Sequence, residues 1–228
     1  MIDVFAGYDE REQEGFYTFV SSMLRRTTAD VRIHRVGSFA IDGEQRGTNA
    51  FTTSRWLVPH RCGFEGRAIF MDASDMVMLG DVAELGALFN PDCALQVVKH
   101  PAYTSKHPLK YRGTDMQCPN LSYPRKNWAS VMIMNCAHPA LSVLTPDFVD
   151  RAKLRTLMQL EFLPDDLIGE LPDEWNRLVD EGHPAAGAKV LHWTAGIPAF
   201  EFYKRAPCWD VWRAEHEALH EPEHLRPD

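Results

Sequence analysis

The stretch Arg67-Ala-Ile-Phe-Met-Asp72-Ala-Ser-Asp75-Met-Val-Met-Leu-Gly-Asp81 sets an apolar run directly against two carboxylates. Arg67 to Met71 reads as a strand, short and apolar, bounded by turn residues. Asp81, followed three positions later by Glu84, makes a capping-box-like start for a helix running to about Phe89. Strand, acids and helix therefore follow one another without a break. In open α/β sheets, ligands bind where strands end at their carboxyl edge. Asp72 and Asp75 stand at that place. Two readings of them are open: carboxylates aimed into a ligand crevice, or residues that shape a turn.

Outward from this stretch the chain keeps alternating. Ile2 to Ala6 reads as a strand ending at Gly7, and Phe16, Phe19, Val20, Met23 and Leu24 recur at helical spacing between about Arg11 and Arg26. A strand at Val31 to Val36, a polar loop from Gly37 to Thr52 and a helix from Thr53 to Cys62 lead into the quoted stretch. Beyond it come a strand at Leu95 to Lys99, a long loop from His100 to Lys126 and a strand at Ala129 to Asn135. Thr145-Pro146 places a cap before proline at the first helical position, opening a helix to about Gln159. Lys189 to Trp193 is the last strand expected, and the charged segment after Leu219 reads as a frayed tail. Strands separated by helices predict an α/β fold, a mostly parallel central sheet with helices on both faces. Residues 1–220 are expected to form one domain and 221–228 a flexible tail.

Composition narrows the function. The 228 residues are 45% hydrophobic and 25% charged, an ordinary globular balance. No apolar run approaches the roughly 20 residues that span a bilayer, and the first residues carry no signal-peptide pattern. A transmembrane segment is not expected, which leaves peripheral membrane contact open. Five scattered cysteines without Cys-x-x-Cys spacing suit reduced thiols and a cytoplasmic setting. A net charge of −8 argues against a nucleic-acid partner. An acidic protein that binds an anionic ligand must supply local positive charge, from a metal ion or a few placed cations.

A second segment supplies such a site. Leu191-His192-Trp193-Thr-Ala-Gly196-Ile-Pro198 puts a histidine at the end of a short strand, before a loop with glycine and proline. Hard cations favour carboxylate oxygens and leave positions for phosphates, and an added imidazole suits Mn²⁺ better than Ca²⁺. Asp72, Asp75 and His192 are therefore candidate ligands of Mn²⁺ or Mg²⁺. In an extended strand, positions i and i+3 face opposite sides, so both acids reach one ion only if the strand ends or bulges at Ala73-Ser74.

These residues resemble glycosyltransferase family 8 and its bacterial relatives of glycogenin and lipopolysaccharide-transferase type. The strand with Asp72 and Asp75, then Leu79-Gly-Asp-Val-Ala-Glu-Leu85, resembles the family's aspartate motif and helix start. His192-Trp-Thr-Ala-Gly196-Ile-Pro198 resembles its C-terminal metal motif, with Ile197 where the family has lysine. Ser54-Arg55, Asn127-Trp-Ala-Ser130 through Asn135, and Leu171-Pro172-Asp-Glu-Trp175-Asn176 resemble three further segments, in order along the chain. The resemblance implies a GT-A fold and a metal-assisted, retaining hexosyl transfer from a nucleotide-sugar, usually a UDP-sugar, to a hydroxyl acceptor. It implies Asp72, Asp75 and His192 as metal ligands. It places Gly7, Tyr8, Asp9, Arg55, Asn127, Ser130 and Gly196 at the donor, and Asp165 and Asp166 as catalytic or sugar-positioning acids. Lys189, Lys204 and Arg205 stand as replacements for the absent lysine. His100, Lys106, His107, Lys110 and Tyr111 are set to meet the acceptor. A metal-dependent phosphohydrolase acting on nucleotides and an inert nucleotide-sugar-binding module of the same fold are the competing readings.

Overall fold

A computed structural model of the chain describes residues 1–38 and 47–220. The expected tail lies outside the described residues, as does part of the expected loop at 37–52. The chain opens with β1 (Ile2–Gly7), α1 (Gln13–Leu24) and β2 (Val31–Val36), a βαβ unit whose strands pair in parallel with Ile2 opposite Val31 and Gly7 opposite Val36. A 3₁₀ turn, Ser54–Leu57, runs into α2 (Val58–Arg61), and then come β3 (Ala68–Met71) and β4 (Met76–Met78). The helix α3 (Val82–Ala87) starts as expected, with the Asp81 carboxylate accepting the Ala83 N–H at 2.8 Å. β5 (Leu95–Val97) follows, and β6 (Leu109–Lys110) pairs with β7 (Cys118–Pro119) inside the expected loop. The remaining elements are β8 (Val131–Met134), α4 (Pro146–Arg151), α5 (Leu154–Met158), β9 (Ile168–Glu170), β10 (Arg177–Leu178), β11 (Val190–His192) and α6 (Trp209–His220).

The main sheet has the order β2-β1-β3-β8-β5-β9. Five strands run one way and β8 alone is reversed, antiparallel to both β3 and β5. The sheet is covered on both faces, as a mostly parallel sheet must be. Ala68 and Phe70 of β3 point into a cluster with Trp56, Leu95, Met132 and Leu157. Ile69 and Met71 point into the opposite cluster, with Phe16, Phe19 and Met23 of α1. Burying a side chain the size of Phe70 contributes about 1.5–3 kcal/mol. A small second sheet, β10-β11-β4, sits beside the main one.

Two pairings place the chemistry. Because β8 is reversed, its start meets the end of β3: Met71 lies opposite Val131, and the Asp72 N–H donates to the Ser130 carbonyl at 2.9 Å. In the small sheet His192 lies opposite Met76, and the Trp193 N–H donates to the Asp75 carbonyl at 2.9 Å. One departure from expectation also matters. The helix read from Thr145 to Gln159 is two helices, broken where Ala152 and Lys153 take extended ψ values of 142° and 140°. The break re-aims α5 so that Leu154 and Met158 face a cavity.

Candidate functional site

Ala73 decides whether two acids three positions apart can act together. It adopts φ of 68°, in the left-handed region, at a cost of roughly 1 kcal/mol for a residue with a Cβ. The strand ends there and a tight turn forms: the Ser74 N–H donates to the Asp72 carbonyl at 2.8 Å, and the Met76 N–H to the Ala73 carbonyl at 2.9 Å. The turn removes the opposition of faces that an extended chain would impose. Two glycines let neighbouring elements close on it. A Cβ on Gly15 of α1 would stand 1.9 Å from the Ser74 carbonyl oxygen, and one on Gly7 would stand 2.7 Å from that of Asp72.

The result is a cluster in which Asp72, Asp75 and His192 each offer one ligand atom, all within 4.8 Å of one another. His192 Nε2 lies 3.3 Å from Asp75 Oδ2. The other ring nitrogen, Nδ1, is 2.8 Å from Asn176 Oδ1. Asn176 is fully buried, and its amide orientation follows from its other contacts: Nδ2 donates to Ser130 Oγ at 2.7 Å and to the Asn127 carbonyl at 3.3 Å. Its oxygen therefore faces His192, which assigns the proton to Nδ1 in the neutral ring and frees Nε2 for a ligand. Asp75 Oδ1 is buried and has no hydrogen-bond partner, an arrangement that costs about 1–3 kcal/mol when left unmet. Two carboxylates, one of them with an unmet oxygen, and an imidazole nitrogen left free in the neutral ring could hold a metal ion.

The electrostatics follow from burial and pairing. Loss of solvent pushes Asp72 up to about 6, against the pull of Arg55 and with the repulsion of Asp75 added. Burial also disfavours the Asp75 anion, but the His192 charge and hydrogen bond outweigh it and hold Asp75 below its usual value. Burial pulls His192 down, and Asp75 more than reverses this, so its value is raised. Arg55 is buried against the acids. Its side chain is 4% exposed, lies between the rings of Phe51 and Phe70, and donates from Nη1 to Asp72 Oδ1 at 2.5 Å and to the Ala129 carbonyl at 2.7 Å.

A cavity of about 400 Å³ opens beside the triad. Arg55, Asp72, Asp75 and Asn127 line it, together with Lys110 and Tyr111 of the long middle loop. His192 sits behind Asp75, and Ser130 acts through Asn176. Asp9 is committed elsewhere. Burial would raise it, but Arg11 and the N–H groups of Ala50 and Arg11 hold it low, and these contacts tie the segment after residue 47 to the end of β1. Tyr8 has Arg35 over its ring at 4.9 Å and meets Phe16 edge-on. A Cβ on Gly196 would stand 2.5 Å from the Tyr203 ring, whose hydroxyl donates to the Ala195 carbonyl.

Other expected residues lie outside the cavity lining. Asp165 and Asp166 are both exposed, and the Asp165 side chain, 81% exposed, pairs with Arg125, which also donates to the Gln159 carbonyl. Lys189 pairs with Glu84 and Lys204 with Glu201. Lys106 and His107 anchor the middle loop to Glu181 and Asp180, and His100 meets His183 edge-on. Several contributors carried no signal in the chain's pattern. Glu12 is buried beside Asn49 and Tyr111, and burial together with Asp75 raises it to about 8. Asn176 stood inside a recognised segment, but its contact with His192 is set by the pairing of β10 with β11.

Comparison with known proteins follows the same line. The galactosyltransferase LgtC, solved with donor and acceptor sugar analogues, superposes with a TM-score of 0.58 at 10% identity, covering 99% of each chain. The bifunctional glycosyltransferase WbbM superposes with a TM-score of 0.60 at 15% identity, covering 94% of this chain. This chain spans 49% of WbbM, about half its length. The chain thus has the GT-A fold that these glycosyltransferases share. By sequence it is 32% identical over 229 residues to Protein CDI of Arabidopsis thaliana, covering 94% of this chain and 85% of that protein, and it belongs to the same family. No protein-family profile matches it.

Proposed function

We propose that the chain is a hexosyl-type glycosyltransferase that moves a sugar from a nucleotide-sugar, a UDP-sugar, to a hydroxyl acceptor with retention of configuration. The observation that carries this reading is the convergence of Asp72 and Asp75, from the turn between β3 and β4, with His192 at the end of β11, within 4.8 Å beside a cavity of about 400 Å³. Mn²⁺ or Mg²⁺ held there would supply Lewis-acid neutralisation of the charge that builds on a departing diphosphate. Arg55 orients Asp72 and favours its ionised form, as a ligand requires. Asn176 holds the His192 ring, and Ser130 holds Asn176. Asn127 lines the cavity, where the donor sugar would lie, with its side-chain amide donating to the Tyr103 hydroxyl at 2.7 Å. Gly7, Tyr8 and Asp9 shape the nucleoside end, Asp9 by fixing the segment that brings Thr48 and Asn49 to the cavity. Gly196 lets Tyr203 close behind the loop that follows His192. Asp165 positions Arg125 and, through it, the Gln159 carbonyl at the cavity wall; Asp166 lies beside it. We place this activity in residues 1–220. Five free cysteines support a cytoplasmic setting, and no helix among the described residues is long and apolar enough to cross a membrane.

Thermal unfolding with Mn²⁺ and UDP tests this. At a hundred times Kd, linkage adds about 2.7 kcal/mol, which raises Tm by roughly 5–10 °C for a chain of this size. Asp75→Ala is expected to abolish the shift. No shift with any of several nucleoside diphosphates would refute the reading, and phosphate release from nucleotides without an acceptor would favour a phosphohydrolase.

A further inference from the structure

Lys126 is an ammonium with no carboxylate in contact among the described residues. It is 5% exposed, and its Nζ donates to Asn120 Oδ1 at 2.6 Å and to the Leu121 carbonyl at 3.0 Å, with the Tyr103 ring 5.6 Å away. All of these partners are neutral. Asp180 and Glu181 attract Lys126 from a distance, but each is engaged by other donors: Asp180 by the Ala195 N–H, Glu181 by Ser105 Oγ and the Lys106 N–H. Buried charges are ordinarily paired, because desolvating an ion costs several kcal/mol.

The cavity holds a second cation of the same kind. Lys110, half-buried on β6, lines the same wall, repels Lys126, and attracts Asp72 and Asp75. The other basic residues of the lining are already matched, Arg55 by Asp72 and Arg155 by Glu161. Among the described residues, neither Lys110 nor Lys126 has a carboxylate partner. Two unmatched ammonium groups facing one cavity beside the triad define a site for negative charge brought by the ligand.

We propose that Lys110 and Lys126 form a second cationic subsite, separate from the Asp72, Asp75 and His192 centre, that receives an oxyanion of the donor. The oxyanion is either a diphosphate oxygen or the carboxylate of an acidic sugar. The donor is favoured over the acceptor because Lys110 lies within electrostatic reach of both acids of the centre, and Lys126 adjoins Asn127 in the chain. This inference rests on the nucleotide-sugar reading.

Calorimetric titration of wild type, Lys110→Met, Lys126→Met and Lys126→Arg tests it, with four probes in the presence of Mn²⁺: pyrophosphate, UDP, UDP-glucose and UDP-glucuronate. Each methionine variant is expected to weaken at least one probe about tenfold or more, and arginine at 126 to recover most of the loss. Equal weakening of all four assigns the oxyanion to the diphosphate, whereas weakening of UDP-glucuronate alone assigns it to a sugar carboxylate. Circular dichroism checks folding, and Lys110→Met, at a half-buried position, carries the test if the buried site tolerates no change. Wild-type binding with every Kd within twofold in the folded methionine variants would overturn the subsite. Failure of wild type to bind any probe, or undiminished binding by Asp75→Ala, would instead overturn the nucleotide-sugar reading, and the subsite with it.

Discussion

Replacing Asn176 by alanine removes the group that sets the ring of His192. The native amide accepts from His192 Nδ1 at 2.8 Å and donates to Ser130 Oγ at 2.7 Å, all within a fully buried environment. Alanine leaves the imidazole N–H without an acceptor and opens a small void, which together cost about 2–4 kcal/mol of folding stability. The larger consequence is for metal binding. A ligand histidine released from its outer partner typically loses 10- to 100-fold in affinity, so Asn176→Ala is expected to weaken Mn²⁺ by about that factor. Asn176→Asp keeps the shape and the accepting oxygen, and is expected to recover most of the affinity. Electron paramagnetic resonance of free Mn²⁺ reads the binding, and urea unfolding reads the stability. Affinity should also fall as pH drops through the raised value of His192, because the proton competes for Nε2. A folded Asn176→Ala protein that binds Mn²⁺ within twofold of wild type would refute the ring-orienting role.

Two further changes probe the surroundings of the triad. Gly15→Ala puts a Cβ 1.9 Å from the Ser74 carbonyl, a backbone atom that cannot swing away. Its cost is expected to reach the top of the usual overpacking range, about 3 kcal/mol, with Mn²⁺ binding impaired; a urea midpoint matching wild type would contradict the close approach. Glu12 titrates near 8 in the fold against 4.5 in a free chain. Its stabilising contribution is therefore complete below about pH 4.5 and is lost as pH rises through 8, at up to roughly 1.4 kcal/mol per pH unit. Glu12→Gln lacks this loss, so unfolding experiments from pH 5 to 8 should show the variant gaining steadily on wild type, and parallel curves would count against the buried carboxyl.

The strands and helices that depend on local pattern were readable from the chain. β1, β2 and β3 match their expected positions within a residue: β1 and β3 are short, largely apolar runs closed by glycine or acid, and β2 alternates apolar and polar residues up to Gly37. The single helix expected from Thr145 to Gln159 failed for a tertiary reason. Ala152 and Lys153 carry no breaking signal, yet the chain bends there to bring α5 to the cavity. β4 and β10 were hidden because three- and two-residue strands exist only through their partners in the small sheet. The same divide runs through the site. Asp72, Asp75 and His192 follow or end strands, which marked them as candidates, and the family resemblance joined them into one ligand set. Glu12, Asn49, Lys126 and the role of Asn176 became visible only with the contacts between distant segments.

The left-handed residue between the two acids has a consequence for how such proteins are recognised. A signature written as a fixed count of positions treats the interval between carboxylates as the invariant. In this chain what matters is the direction in which the carboxylates point, and one unusual dihedral angle at Ala73 lets acids three positions apart share it. A search by spacing would pass over the molecule, whereas a search by the arrangement of oxygen and nitrogen atoms would retrieve it.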